Sequence, residues 1–152
     1  MGGRWCGGVR AEVGRVRTVT GMTEFLVRTR LTQRDLRVAR WVAEQQAVRL
    51  DTIAQLLAQW GAASQPRNLR RLAERWEHAG LIKRGRILAE APTILWPTSA
   101  AMRLTDLDDK RAEKLPSIST LHHTLAVARV RLEYEKHGLI FYKGIRIVEE
   151  YA

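Results

Sequence analysis

Residues 64–86 read SQPRNLRRLAERWEHAGLIKRGR, a stretch in which helical spacing gives way to a strand pattern. Ser64 is a favoured N-cap residue, and Pro66 falls in the first helical turn, where its missing N–H breaks no hydrogen bond. Gly80 is typical of the position just after a helix, and residues 81–84 predict a strand. The apolar residues in between recur at i, i+3, i+4 and i+7, which predicts one buried helix face. These residues are Leu69, Leu72, Ala73 and Trp76.

Two further helices are predicted upstream of this segment. Thr32, with Asp35 three residues later, forms a loose capping box and predicts a helix from about 33 to 46. Asp51 is predicted to cap a second helix, which ends at Gly61. The short loop from this glycine to the third helix has about the length of the turn in a helix-turn-helix motif.

A β-wing is predicted after the third helix. Gly85 and Arg86 supply a turn from which Ile87–Leu88 can return, and a further strand is predicted at Thr93–Trp96. Three helices followed by strands is the element order of a winged helix-turn-helix domain. The predicted fold class is therefore α+β, a winged helix-turn-helix of three helices plus a β-wing, with a C-terminal long helix and short strands.

The patterns divide the chain into four expected parts. A short helix capped by Thr98 closes the winged domain, and a long helix begins at Ser117 or Ser119 and ends near His137. The last part is interpreted either as a dimerisation segment or as a truncated α/β extension. The four parts are a flexible basic N-terminal tail (1–30), the winged helix-turn-helix domain (31–104), a loop (105–116), and a C-terminal helix with a β-hairpin (117–152).

The charge of the chain is concentrated in two places. The 152 residues include 26 Lys and Arg against 16 Asp and Glu, a formal net charge of +10. Residues 64–86 hold +5 of this excess, and residues 1–30 hold +4. So basic a chain points to a polyanion as its partner, with nucleic acid first and an anionic membrane surface second. One hypothesis places the translation start at Met22, which removes part of the tail but none of the charge in residues 64–86.

The composition also excludes several classes of protein. No apolar run approaches the length of a membrane span, and the single Cys6 cannot form an internal disulfide. We therefore expect a cytoplasmic protein that does not act at a membrane.

A DNA-binding surface is predicted on the third helix and the wing. If the apolar stripe faces the core, the basic and amide side chains between its members face outward. The N-terminal residues of a recognition helix contact base edges, where Arg reads guanine and Asn or Gln reads adenine. Ser64 and the first-turn N–H groups suit a phosphate, and wing residues suit the DNA backbone or minor groove. The candidate DNA-binding residues are Ser64, Gln65, Arg67, Asn68, Arg70, Arg71 and Arg75 on the helix, and Lys83, Arg84 and Arg86 on the wing.

The basic face has a second interpretation. Glu74 and Glu77 lie at helical spacing from several of these arginines, so the surface would then be a solvated face with local ion pairs. Winged helices also serve as protein-interaction modules, which is a further alternative.

Catalysis and metal binding are not predicted. His122 and His123 point about 100° apart on a helix, so they cannot easily share a metal ion. One of the two is expected to be packed or hydrogen-bonded between the late helix and the wing domain. Tyr134, Tyr142 and Tyr151 lack the histidine cluster or acidic partner that a strand-transferring nucleophile needs. We expect a protein that is not an enzyme and that has no metal and no cofactor.

The late helix is apolar on more than one face. One stripe contains Leu121, Leu125, Ala128 and Leu132, and a second set contains Val127, Val130 and Tyr134. A small domain has limited room to bury both stripes. We expect part of this helix, with the final strands, to form a homodimer interface, or else to pack on a missing or partner α/β region.

Several motifs resemble the replication-relaxation family. The resemblance is found in Leu31–Leu36, Leu50–Leu57, Asn68–Leu72, His78–Ile82, Leu95–Thr98 and Leu121–Val127, and it covers about residues 31–148. It implies a winged-helix protein of bacterial plasmids, integrative elements and actinobacterial genomes, associated with DNA binding and with plasmid replication or relaxation. Family members usually continue into a further α/β region, whereas this sequence ends at Ala152.

The expected function is sequence-specific binding of double-stranded DNA, as a transcriptional regulator or a regulator of plasmid or mobile-element replication. One alternative is a protein-interaction winged helix in a replication or conjugation complex. Another is an accessory fragment of a DNA-processing enzyme. The expected partners are double-stranded DNA and a second copy of the chain, and the sequence identifies no small-molecule effector.

Overall fold

The computed structural model describes residues 31–63, 65–107, 113–138, 140–141 and 147–148. These residues form an α+β fold of five helices, a three-stranded antiparallel sheet and a separate pair of strands. The helices are α1 (Gln33–Gln45), α2 (Leu50–Gln59), α3 (Pro66–His78), α4 (Ser99–Leu104) and α5 (Ile118–Lys136). The strands are β1 (Val48–Arg49), β2 (Ile82–Gly85), β3 (Ile94–Pro97), β4 (Ile140–Phe141) and β5 (Ile147–Val148).

The predicted capping box at the start of α1 is confirmed. The Thr32 hydroxyl accepts a hydrogen bond from the Asp35 N–H, and the Asp35 carboxylate accepts one from the Thr32 N–H at 2.8 Å. Two of the N–H groups that a helix start leaves unpaired are thereby satisfied. The helix ends within one residue of the predicted position and buries one apolar face that includes Val38 and Val42.

The second helix begins before the residue predicted to cap it. Its N-cap is Arg49, without a side-chain cap, and Asp51 lies inside the first turn, where it pairs with the Arg49 guanidinium. The predicted Asp51 cap is therefore wrong, because β1 carries the chain directly into the helix. The predicted end at Gly61 is confirmed. This glycine has φ of +72°, and the Ala62 N–H donates to the Leu57 carbonyl across the helix end.

The strands predicted at residues 81–84 and at Thr93–Trp96 are confirmed within one residue, but the predicted return strand between them is not. β2 pairs with β3, so that Ile82 lies opposite Pro97 and Gly85 opposite Ile94, and β1 pairs with the other edge of β3. Ile87–Leu88 is not a return strand: both side chains are exposed, Leu88 by 72%. The chain returns to pair with β2 only at β3, because Ile94 and Leu95 are buried there. Burial of one strand face fixes the register of the pair.

Gly85 allows a close approach between β2 and the Trp96 ring of β3. A Cβ atom at this position would lie 3.2 Å from Cη2 of the Trp96 ring, which is tighter than ordinary contact. The residue opposite it in the sheet, Ile94, belongs to the buried cluster that Trp96 packs against. The glycine therefore has a packing role. The predicted turn at Gly85 and Arg86 is wrong, because Gly85 is the last paired residue of β2.

The long helix α5 packs on the same core as the first three helices. Ala128 and Leu132 are buried with residues of α1, α2 and α3, and Leu121 is buried against Ile94 of β3. Its outer face remains exposed, as Val130 (53%) shows. His122 and His123 are both exposed, so the expected packing of one of them is wrong. None of the described helices is long and apolar enough to cross a membrane.

Candidate nucleic-acid interface

The N-terminal half of α3 presents basic and amide side chains to solvent. Leu69, Ala73 and Trp76 are buried as the stripe predicts, and Leu72 is half-buried. Ser64 lies outside the described residues. The N-cap of α3 is Gln65, without a side-chain cap, so the predicted Ser64 cap is wrong: the helix begins one residue later. Across the described ranges, no hydrogen bond or ion pair engages the outward side chains of this half. These exposed side chains are Gln65, Arg67, Asn68, Arg70 and Arg71.

The C-terminal half of α3 is held by a buried carboxylate of α1. One nitrogen of Arg75, Nη2, donates to both oxygens of Asp35 at 2.8 Å, and Trp76 Nε1 donates to Oδ1 at 2.8 Å. Asp35 is fully buried. Burial raises its pKa, but the hydrogen bonds from Thr32 and Trp76, together with the charge of Arg75, outweigh this effect and hold the pKa below its usual value. Arg75 therefore fixes α3 in place as well as contributing charge to its surface.

Arg84 on β2 is paired with both acidic residues of α3. It donates to Glu77 and, at 3.4 Å, to Glu74. The hydrogen bond to Glu77 is the main reason that the pKa of Arg84 is raised. The expectation of the alternative interpretation, that these glutamates pair within the helix, is wrong: they link α3 to β2. Among the described residues, Arg67, Arg70 and Arg71 of α3 then have no carboxylate partner, whereas Arg75 has Asp35.

The other two cations of this part of the predicted site, Lys83 and Arg86, also have protein partners. Lys83 lies 3.8 Å from Glu113, whose pKa is lowered mainly by a hydrogen bond from the Ser99 N–H. Arg86 donates to the Ala89 carbonyl at 3.0 Å and to the Thr93 hydroxyl at 3.3 Å. The two Arg86 hydrogen bonds brace the loop between β2 and β3.

A shallow depression between α1 and α3 was not anticipated from the sequence. It is lined by Arg34, Asn68, Arg71, Leu72 and Arg75. Arg34 was missed because it stands next to the capping box of α1, far from the basic segment in sequence. No sequence signal could have found it, because the contact between Asp35 and α3 joins residues 40 positions apart.

The helix α5 is attached to α1 by a second polar cluster. Arg131 is 9% exposed and pairs with Glu44 of α1 at 2.7 Å and with Glu135 one turn along its own helix. Its guanidinium lies 5.2 Å from the centroid of the Trp41 ring, and Trp41 Nε1 donates to Glu135. Within the part of the chain that the structure describes, no group of three His, Cys, Asp or Glu residues is arranged to hold a metal ion.

Comparison with known proteins adds no relative to this picture: no family model, no curated protein and no solved structure matches the chain. The resemblance to the replication-relaxation family stays a prediction.

Proposed function

We propose that the chain is a winged helix-turn-helix protein that binds double-stranded DNA through α3. The element order α1-β1-α2-α3-β2-β3 and the sheet order β1-β3-β2 support the proposed winged-helix fold. So does the tight turn at Gly61, which separates α2 from α3 by a short loop.

One observation carries the proposal: within the described ranges, the cations in the N-terminal half of α3 are unpaired, while its C-terminal half is fixed to the body of the protein. Arg67, Arg70 and Arg71 are exposed and have no carboxylate partner among the residues that the structure describes. Asp35 holds Arg75 and Trp76, and Arg84 holds the two glutamates. A rigid helix with free donors at its N-terminal end suits insertion into the major groove, because base readout needs donors that are already positioned.

The proposed contacts differ along the surface. Gln65, Arg67, Asn68 and Arg71 are the proposed readers of base edges, and Arg70 adds charge toward the phosphates. Lys83 exchanges its exposed pairing with Glu113 for a DNA phosphate, since a pair of that kind contributes little to stability. Arg75 and Arg84 position α3, and Arg86 shapes the wing. The protein then acts as a regulator of transcription or of mobile-element replication, without chemistry of its own.

Replacing Arg67 or Arg71 with alanine is expected to weaken binding to a cognate site tenfold to hundredfold, about 1–3 kcal/mol. The loss should be larger for the cognate site than for random DNA, because base contacts carry specificity. Genomic fragments selected for binding provide the cognate site, and gel shifts at two salt concentrations measure the affinities. Arg40→Ala is the matched control, since Arg40 is an exposed arginine of α1 paired with Glu44. Unchanged affinity in both α3 variants would contradict the proposal.

A protein-interaction role is the second candidate, and the wing tip favours it. Ile87 and Leu88 are exposed by 39% and 72%, and the wing cations are engaged by protein groups. An apolar wing suits a protein surface better than a phosphate backbone. Wild-type protein that shows no salt-dependent DNA binding would favour this candidate.

A second copy of the chain is the proposed partner for the outer face of α5. His123, Val127, Val130, Tyr134 and His137 follow one another at spacings of 4, 3, 4 and 3 residues, the pattern by which two identical helices pack together. Val130 and Tyr134 are 53% and 42% exposed. A two-fold pair would present two α3 helices to two DNA half-sites.

Val130→Glu is expected to convert a dimer into a monomer, because it places two like charges in the proposed contact. Sedimentation at tens of micromolar measures the assembly state. His122→Glu is the control, since His122 is exposed on α5 but lies outside the stripe; this variant should remain dimeric. A wild-type chain that sediments as a monomer at that concentration would rule out the dimer.

A further inference from the structure

The depression between α1 and α3 is lined by three arginines from two helices. Arg34 comes from the first turn of α1, and Arg71 and Arg75 lie one turn apart on α3. Asn68 and Leu72 complete the lining, and none of the five residues is acidic. Guanidinium groups stay charged at all physiological pH values, so three of them converging on one depression create a local excess of positive charge.

Asp35 neutralises only part of this charge. Its carboxylate accepts hydrogen bonds from Thr32, Trp76 and Arg75, and it lies 4.0 Å from Nη2 of Arg34. One carboxylate therefore serves two of the three cations, Arg75 and Arg34, and its acceptor positions are already occupied by hydrogen bonds shorter than its distance to Arg34. Arg71 has no ion pair among the described residues.

Two of these guanidinium groups are also short of hydrogen-bond acceptors. The Nε atoms of Arg34 and Arg75 are buried and have no hydrogen-bond partner in the described structure. Buried donors are nearly always paired in folded proteins, and an unpaired one calls for a missing acceptor. An anion with several oxygens, seated in the depression, would supply acceptors to both arginines after a small rotation of their side chains.

We propose that this depression binds a phosphate group of the DNA backbone, with Arg34 as a contact that comes from outside α3. The inference rests on the proposed DNA-binding function. It favours DNA over a free anion because Asn68 and Arg71 belong both to the depression and to the exposed half of α3. A phosphate held there lies beside the groove that α3 enters. Such a contact fixes the register of the helix on the duplex and carries no sequence information itself.

Arg34→Ala tests the site. It is expected to weaken binding to cognate and random DNA alike, by about threefold to tenfold, and to reduce the slope of log affinity against log salt by about 1. Arg34→Lys should restore part of the affinity, since it keeps the charge but not the forked geometry. Arg40→Ala on the same helix should change neither quantity. An Arg34→Ala protein with wild-type affinity and salt slope overturns the proposal, provided that its circular dichroism spectrum is unchanged.

A second measurement uses the wild-type protein and separates this proposal from the function on which it rests. Arginine Nε–H signals are followed by NMR during titration with duplex DNA and, separately, with inorganic phosphate. Shifts of Arg34 and Arg75 with DNA support the proposal. If the signals shift with inorganic phosphate and the protein binds no DNA, the bound phosphate does not come from DNA and the proposed function is overturned as well. If the protein binds DNA and the signals of these arginines do not shift, only the proposed phosphate site is overturned.

Discussion

Asp35→Ala is expected to lower the free energy of unfolding by about 3 kcal/mol, within the range for breaking a buried ion pair. The Asp35 carboxylate is fully buried and joins three groups: the Thr32 cap of α1, Arg75 and Trp76. Its removal leaves the Trp76 N–H buried without an acceptor and takes the counter-charge from Arg75. The partial exposure of Arg75, 41%, limits the loss because water can solvate that guanidinium.

Urea unfolding measures this effect, and Asp51→Ala is the matched control. Asp51 also lies in the first turn of a helix and also pairs with an arginine, but its side chain is 52% exposed. Its replacement should change the free energy of unfolding by less than about 1 kcal/mol, as is usual for an exposed ion pair. Equal losses in the two variants would mean that the Asp35 network does not stabilise the fold.

The pH dependence of stability supplies an independent check on Asp35. Its pKa is lower in the folded protein than the usual value of 3.8, so the unfolded chain binds the proton more tightly. The stabilisation is therefore fully present above the unfolded pKa and is lost as the pH falls through the folded pKa. Asp35→Asn has no carboxyl group to titrate there. Its stability should fall less steeply than that of the wild type below about pH 4, and parallel curves would contradict the assignment.

The helices could be predicted from sequence because their signals are local. The capping box at Thr32, the glycine at position 61 and the apolar stripe of α3 act within a few residues of where they stand. The two-residue strand β1 could not be predicted in this way, because it exists only through its pairing with β3. An apolar pair such as Ile87–Leu88 predicts a return strand from local sequence alone. The strand that pairs with β2 is instead decided by burial against residues that are distant in sequence.

The same difference between local signals and contacts of distant residues applies to the candidate site. The exposed residues of α3 follow from its own periodicity, and they appear on the predicted face. The partners of Arg75 and Arg84 do not follow from this periodicity. Asp35 is 40 residues from Arg75 in sequence, and Glu77 is on a different element from Arg84. Helical spacing predicts ion pairs of Glu74 and Glu77 with arginines of α3. Exposed pairs of this kind contribute only about 0.2–0.5 kcal/mol, so the contact with Arg84 that folding creates can replace them.

The arginine at the α1–α5 contact is expected to give the other large effect. Arg131→Ala should lower the free energy of unfolding by about 3–5 kcal/mol, the range seen when one member of a buried ion pair is removed. Arg131 is 9% exposed, and Glu44 is 11% exposed. Without the guanidinium, Glu135 loses its cation, and Glu44 keeps only its pairing with the exposed Arg40. The Trp41 ring also loses the cation that stacks near it.

Urea unfolding of Arg131→Ala, with Arg129→Ala as control, measures this contribution. Arg129 lies on α5 as well but is exposed, so its loss should change stability by about 0.5 kcal/mol or less. A triple variant, Glu44→Gln with Arg131→Met and Glu135→Gln, removes the charges together and should recover most of the stability. If Arg131→Ala is no worse than its control, α5 is held by Leu121, Ala128 and Leu132 alone. Protection of the α5 amides from hydrogen exchange would then persist in the variant. If the Arg131 ion pairs hold α5 against α1, this protection is instead lost in α5 before the rest of the protein.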